Sequence, residues 1–201
     1  LCWFSFCFGQ SAKLLIKEYR PFPEKISLLG IKPTQFNWSI SNKFLLLDKN
    51  RDELLEIDQF GNLNLASGIS MLNTVYGELT WVGIFPEGIR VIDRLENKII
   101  FLDYLLNALY ENSIDPKLYP DLGSSDPWGR IFLYSKTYNG VFIYENSYSN
   151  ILPFIDFSKY DNTFNCFIDM ASNQDGNLAM LSCDGTFYEY NQNGKRRMYY
   201  Q

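Results

Sequence analysis

Histidine is absent from the 201-residue sequence. Catalytic dyads and triads with an imidazole base, and zinc sites with imidazole ligands, are therefore excluded within this chain. Basic residues are also scarce, because 18 Lys and Arg stand against 23 Asp and Glu, for a net charge of −5. Nucleic-acid binding requires clustered basic residues, and the run at residues 195–197 is too short to supply them. The sequence thus predicts no nucleic-acid partner, and a protein that is not an enzyme, since acid–base work would fall to carboxylates, Lys or Tyr.

Long hydrophobic segments are also lacking, so the sequence predicts no transmembrane span in residues 10–201. An uncharged apolar stretch at residues 1–9 is typical of the end of a signal peptide, with Cys7 and Gly9 as the small residues before cleavage. A buried strand or a membrane anchor is the alternative, although this stretch is too short to cross a bilayer. We therefore expect a secreted or periplasmic protein in which residues 10–201 form one domain.

Two apolar segments separated by a polar turn recur along the chain, and each copy is marked by two residues ten positions apart. The pairs are Asp48 and Asp58, Asp93 and Asp103, Tyr134 and Tyr144, and, one residue closer, Ser182 and Asn191. Their recurrence matches the ~40–45 residues of a four-stranded propeller blade. Together with 17% aromatic residues, which favour strands, it predicts an all-β protein, a β-propeller of four-stranded antiparallel blades, with repeats at about 36–66, 79–110, 126–154 and 164–200.

The first repeat carries the fullest motif: an apolar residue and Asp, a turn with Asn, an apolar pair, and then Asp-x-x-Gly. Its residues are Leu47, Asp48, Asn50, Leu54, Leu55, Ile57, Asp58 and Gly61. This pattern resembles the NHL-type repeats of six-bladed β-propellers over about residues 36–194. The resemblance implies a fold and no particular activity. Two further strands are predicted at residues 13–19 and 25–29, so that the blade number stays open between four, five and part of a six-bladed ring.

Asp48, Asn50 and Asp52 place oxygen atoms at alternate positions of one turn, as calcium-binding loops do. The glycine and the distal glutamate of an EF-hand loop are missing, and a hairpin turn by itself favours Asp and Asn. We therefore predict no cofactor, with calcium at these three residues as the alternative.

Cys166 and Cys183 lie on either side of a predicted hairpin turn at residues 172–177. They face each other if the turn centres between Gln174 and Asp175, and an oxidising compartment then permits a disulfide. A turn centred on Asp175 and Gly176 separates them and leaves two independent thiols. The sequence leaves both alternatives open.

Trp38, Trp81 and Trp128 recur at about the blade spacing, in the predicted first strands of their repeats. Inter-blade packing explains such a series, and the alternative is an aromatic rim that binds a sugar or peptide, to which Arg130 would contribute. We expect a non-catalytic scaffold that binds envelope or secreted proteins. The alternatives are a calcium-dependent propeller hydrolase similar to lactonases, and a carbohydrate-binding propeller with an oligosaccharide as its partner.

Overall fold

The structure is a computed structural model that describes residue 21 and residues 24–39, 42–68, 75–159 and 166–200. Their regular secondary structure is almost entirely β-strand, with one short helix, α1 (Glu24–Leu28), and a 3-10 turn at Phe157–Lys159. The strands make four antiparallel sheets in which neighbours in sequence are hydrogen-bonded neighbours in space. The first sheet contains β1 (Gln35–Ser39), β2 (Lys43–Asp48), β3 (Glu53–Ile57) and β4 (Leu63–Ser67).

The other three sheets repeat this order. The second contains β5 (Leu79–Phe85), β6 (Gly88–Asp93), β7 (Lys98–Leu102) and β8 (Ala108–Ser113). The third contains β9 (Leu122–Ser125), β10 (Ile131–Ser135), β11 (Gly140–Glu145), β12 (Tyr148–Ser149) and β13 (Ile155–Asp156), which also pairs with β11. The fourth contains β14 (Phe167–Ser172), β15 (Leu178–Ser182), β16 (Phe187–Tyr190) and β17 (Arg196–Tyr200).

The four sheets surround one axis as the blades of a β-propeller. The first strands β1, β5, β9 and β14 lie innermost, and they contact one another in that order. This arrangement confirms the predicted fold, and the residues that the structure describes make four blades.

Packing between the faces of adjacent blades supplies the hydrophobic core. All five residues of β10 are buried, because a blade between two neighbours is covered on both faces. Trp81, Ile92, Leu133 and Phe142 belong to one such cluster, between the second and third blades. Each fully buried side chain of this kind contributes about 1.5–3 kcal/mol, which explains why middle strands such as β7 and β10 are rich in apolar residues.

A five-residue turn closes five of the hairpins in the described part of the chain. Its first residue uses a side-chain oxygen to accept hydrogen bonds from the N–H groups two and four residues later, and these first residues are Asp58, Asp103, Asp126, Asn173 and Asn191. The fourth position has positive φ and is glycine in every copy except the second repeat, where Leu106 has φ 63°. Burial of Leu106 in the core offsets the conformational strain, so the repeat without the glycine keeps the turn.

Two local predictions are wrong. Residues 25–29 do not form a strand, because Glu24–Leu28 is helical and packs Ile26 against Leu46 and Leu55 on the outer side of the first blade. The first strand of the third blade is β9, so Trp128 lies in the turn after this strand and not within it.

The predicted signal peptide at residues 1–9 and the predicted strand at residues 13–19 lie outside the described residues. Export and the domain boundary at residue 10 therefore stay predictions. Within residues 24–39, 42–68, 75–159 and 166–200, no helix has the length and apolar character needed to cross a membrane.

Candidate functional site

A cavity of about 650 Å³ lies on the propeller axis, and the innermost strands of all four blades line it. Asn37 and Trp38 of β1, Ser124 of β9 and Asp169 of β14 are among the residues on its wall. The volume falls within the ~300–1,000 Å³ typical of small-molecule sites. The wall combines carboxamide, hydroxyl and charged groups with about as many apolar side chains, so the cavity suits a ligand that has polar groups beside apolar surface.

Hydrogen bonds between blades hold this wall in place. The side-chain amide of Gln35 donates to Val82 O at 2.7 Å and accepts from Val82 N at 3.1 Å, which joins the first blade to the second. Thr80 Oγ1 donates to Pro120 O at 2.9 Å, from the second blade to the chain that enters the third. Ser172 Oγ in turn donates to Ser125 O, between the fourth blade and the third. Because these side chains are fixed by their backbone partners, the cavity is largely preformed.

Lys49 lies in the turn between β2 and β3 and reaches the cavity at the end where the innermost strands begin. Burial lowers the pKa of its amine below the ordinary value, while the negative charges of Asp169 and Glu78 act in the opposite direction. In the part of the chain that the structure describes, no carboxylate forms an ion pair with Lys49. A partly desolvated amine with a lowered pKa in a cleft is a candidate acid–base group.

Two of the candidate calcium ligands, Asp48 and Asp52, accept hydrogen bonds from different backbone segments. The carboxylate of Asp48 is fully buried and accepts from Lys32 N at 2.7 Å and from Asn50 N at 3.0 Å. Asp52 instead accepts from Leu79 N at 2.7 Å, at the start of β5. Among the described residues, no group of three or more acidic, Cys or His side chains is placed to hold a metal ion. The prediction of no cofactor, with calcium at Asp48, Asn50 and Asp52 as its alternative, is not tested by this arrangement.

The three tryptophans have different environments, and the structure brings two of them, but not the third, to the axial cavity. Trp38 and Trp81 both line the axial cavity, but Trp38 is 64% exposed and Trp81 is largely buried between the second and third blades. Trp128 is exposed on the opposite face from Lys49, and the guanidinium of Arg130 lies 5.5 Å from its ring centroid. Arg130 also donates through Nε to Asp126 at 2.6 Å, so it stabilises the turn that presents Trp128.

Lys49 and Asp169 are candidate site residues that the sequence-based assignment missed. The sequence alone could indicate Lys49 as a site residue, because it lies between Asp48 and Asn50, two of the proposed calcium ligands, in a repeat turn. No local signal marks Asp169, which faces the cavity only because the fourth blade lies near the first.

Cys166 and Cys183 are joined by a disulfide, with their Cα atoms 5.5 Å apart. The strands pair Met170 with Met180, a register that would bring Cys166 opposite Asp184. A β-bulge between Phe167 and Asp169 shifts the pairing by one residue and places the two cysteines together. The cross-link fastens the start of β14, and hence one wall of the cavity, to the next hairpin turn.

No protein-family model matches the sequence, and no curated protein is significantly similar to it. Solved structures share its fold. A streptogramin B lyase is 15% identical with a TM-score of 0.61, over 84% of this chain and 54% of that one. A gluconolactonase from Xanthomonas campestris is 9% identical with a TM-score of 0.61, over 82% and 60%. A Bacteroides fragilis protein, named as a candidate for export, is 14% identical with a TM-score of 0.62, over 83% and 49%.

These similarities show a β-propeller, and the chain spans about half the length of the solved structures it matches. They also correct one prediction. The prediction that the chain is not an enzyme is wrong on this finding, because two of the structures that share its architecture are named enzymes, a lyase and a gluconolactonase. The missing histidine excludes particular catalytic groups, and the axial cavity offers a lysine in their place.

Proposed function

We propose that the chain forms the substrate-binding part of a β-propeller enzyme that hydrolyses a small, polar cyclic ester, such as a sugar lactone. The observation that carries the proposal is the axial cavity, where four blades enclose polar space with the Lys49 amine at its margin. The name of the gluconolactonase among the similar structures supports a lactone as the substrate class. Export is part of the same proposal, supported by the apolar residues 1–9 and the Bacteroides protein.

The chemistry needs one group that both accepts and returns a proton. Neutral Lys49 takes a proton from a water molecule, whose oxygen attacks the ester carbonyl carbon. The ring C–O bond then breaks, and the Lys49 ammonium gives its proton to the leaving alkoxide, so that the product is the open hydroxy acid. This scheme uses only the Lys49 amine and a water molecule.

Polar groups on the cavity wall suit the hydroxyl-rich part of a sugar lactone. Asn37 uses Nδ2 to donate to Val82 O at 3.0 Å, which holds its carboxamide at the cavity surface. Ser124 Oγ donates to Ser172 Oγ of the neighbouring blade at 3.3 Å. Groups held in this way bind a ligand with little further loss of conformational entropy.

The direct test is the hydrolysis of glucono-1,5-lactone by the full chain, followed by proton release with a pH indicator after subtraction of the spontaneous rate. We expect saturable acceleration that is inhibited by 1,5-anhydroglucitol, a ring of similar size without the ester carbonyl. A rate that is the same with and without the protein, over a range of lactones of this size, would contradict the proposed function.

Asp169→Asn is expected to move the pH dependence of this activity to lower pH. The base form of Lys49 is the neutral amine, so the rate rises as the pH passes through its pKa. Asp169 raises that pKa, and removal of its charge leaves burial and Glu78 as the main influences, so the pKa falls further. The measurement is kcat against pH for both proteins, with Asp175→Asn, an exposed carboxylate in the next turn, as the matched control. A rate that falls with rising pH would show that Lys49 does not act as the base.

A further inference from the structure

A second cavity, of about 480 Å³, opens between the second and third blades on the face opposite Lys49. We call it the aromatic cleft, and its defining residues are Phe85, Arg90, Phe101, Tyr110, Trp128 and Tyr144. It adjoins the axial cavity, since Ile84 and Ser125 line both. The proposed hydrolysis uses none of the six defining residues.

Arg90 is held at the base of this cleft by its aromatic neighbours. Its guanidinium lies 3.9 Å from the ring centroid of Phe85 and 5.2 Å from that of Phe101. Its polar contacts are weak, because the distances to Gly129 O and to the Glu87 carboxylate are both 3.5 Å, the outer limit for a hydrogen bond. A planar cation that is fixed in orientation and poorly satisfied is suited to bind a carboxylate through two parallel hydrogen bonds.

Two exposed rings flank this cation. Trp128 is 61% exposed and Tyr110 is 55% exposed, and Tyr110 is supported by a stack on Phe101 with the centroids 4.2 Å apart. The hydroxyl of Tyr144 is fixed by Asn112 Nδ2 at 3.0 Å. Rings of this kind offer rigid contact area for the faces of a flat ligand at a small entropic cost.

Polar groups complete the lining of the cleft and restrict the class of ligand. Ser125, Asn146 and Ser147 lie among the aromatic residues. A purely apolar ligand would cover these polar groups without offering them hydrogen-bond partners. A ligand that satisfies all these features has a carboxylate, flat faces and several hydroxyl groups. We propose that the aromatic cleft binds an acidic oligosaccharide, with a uronate carboxylate on Arg90 and sugar rings against Trp128 and Tyr110.

Three acidic residues of the lining, Asp126, Glu145 and Glu87, oppose such a ligand. Asp126 is paired with Arg130 at 2.6 Å, and Glu145 is exposed to solvent. Glu87 is the one that contacts Arg90. Its carboxylate is 74% exposed and lies beside Arg90, so solvent screens much of its repulsion. Glu87→Gln is therefore expected to strengthen the binding of an acidic sugar by a few-fold.

The test is isothermal titration of the full chain with trigalacturonate and with its methyl ester, which has the same rings and hydroxyl groups without the charge. We expect the acid to bind at least about tenfold more tightly than the ester, the difference typical of a charge-assisted bidentate contact. Arg90→Gln and Trp128→Ala should each weaken the binding of the acid by about tenfold. Phe60→Ala, which removes an exposed ring from a turn of the first blade, is the matched control and should change nothing.

Two further variants keep the outcome decisive. Arg90→Lys preserves the charge but not the fork of donors, so its affinity should lie below that of the wild type even if Arg90→Gln fails to fold. Lys49→Met should leave trigalacturonate binding unchanged, which separates this site from the proposed hydrolysis. Equal affinity for the acid and the ester, no saturable binding of the acid, or wild-type affinity in Arg90→Lys would each overturn the proposal.

Discussion

Asp93→Ala is expected to lower the free energy of unfolding by about 3–5 kcal/mol, a large part of the total for a domain of this size. Asp93 is fully buried at the end of β6, and its carboxylate accepts from Gly77 N at 2.7 Å and from Glu78 N and Glu96 N at 3.1 Å. Alanine leaves all three backbone donors without this partner, and it frees the segment that leads into the innermost strand of the second blade. Burial raises the pKa of the Asp52 carboxyl, and the negative charge of Asp93 adds to this shift, but loss of that repulsion gains little because Asp52 is only partly buried.

The control for this prediction is Asp103→Ala, the other member of the same ten-residue pair. Asp103 also accepts from two backbone N–H groups, of Leu105 and Asn107, but water can replace it at the surface, so we expect a loss of about 1 kcal/mol. Urea denaturation of the two variants measures both values, with unchanged m-values as evidence that the folded states remain comparable. Equal losses would contradict the assigned role of Asp93 as the buried anchor of its blade.

The repeat could be predicted from the sequence because both of its causes are local. A strand pair buried on two faces needs apolar runs, and the turn between strands needs an Asp or Asn side chain at a fixed place. These two features recur in each blade, which explains why the predicted repeats match the blades of the structure for most of the chain. The equivalence of the second repeat was less evident, since Leu106 occupies the position that is glycine in the other copies.

In the third blade, such local signals do not identify the innermost strand. Its innermost strand, β9, has the sequence Leu-Gly-Ser-Ser, without the apolar alternation that marks a strand. Gly123 is required there because a Cβ atom would lie 2.5 Å from the Trp81 ring of the neighbouring blade. That requirement comes from packing between segments distant in sequence, which no local pattern shows. The sequence pattern therefore predicts the first strand of this blade at Trp128 and not at β9.

The same limit applies to the cysteines and to the axial cavity. The turn after β14 sets one register, and only the bulge between Phe167 and Asp169 brings Cys166 opposite Cys183. The cavity likewise depends on the ring, since Lys49 and Asp169 belong to the first and the fourth blades. Neither residue has a sequence neighbour that indicates the other, and the burial that lowers the pKa of Lys49 exists only in the folded propeller.

Lys49→Met is expected to reduce kcat for lactone hydrolysis by about 100-fold or more, the usual contribution of a general acid–base group. Methionine keeps most of the side-chain volume, so binding of a competitive sugar should change little. Stability should be equal to that of the wild type or slightly higher, because the variant no longer buries part of an amine without an ion-pair partner among the described residues. A loss of activity without a loss of stability therefore distinguishes a catalytic role from a structural one.

Lys136 provides the matched control for this last prediction. It occupies the equivalent turn of the third blade, directly after β10, but its side chain is exposed and does not line the axial cavity. Lys136→Met makes the same substitution on the same face of the propeller, and its kcat should equal that of the wild type. Lys49→Arg retains the positive charge but cannot lose a proton near neutral pH, so it should be as inactive as Lys49→Met if the neutral amine is the base. If Lys49→Arg keeps the activity, the positive charge and not proton transfer is what the reaction requires, and Lys49 would then act by binding the substrate.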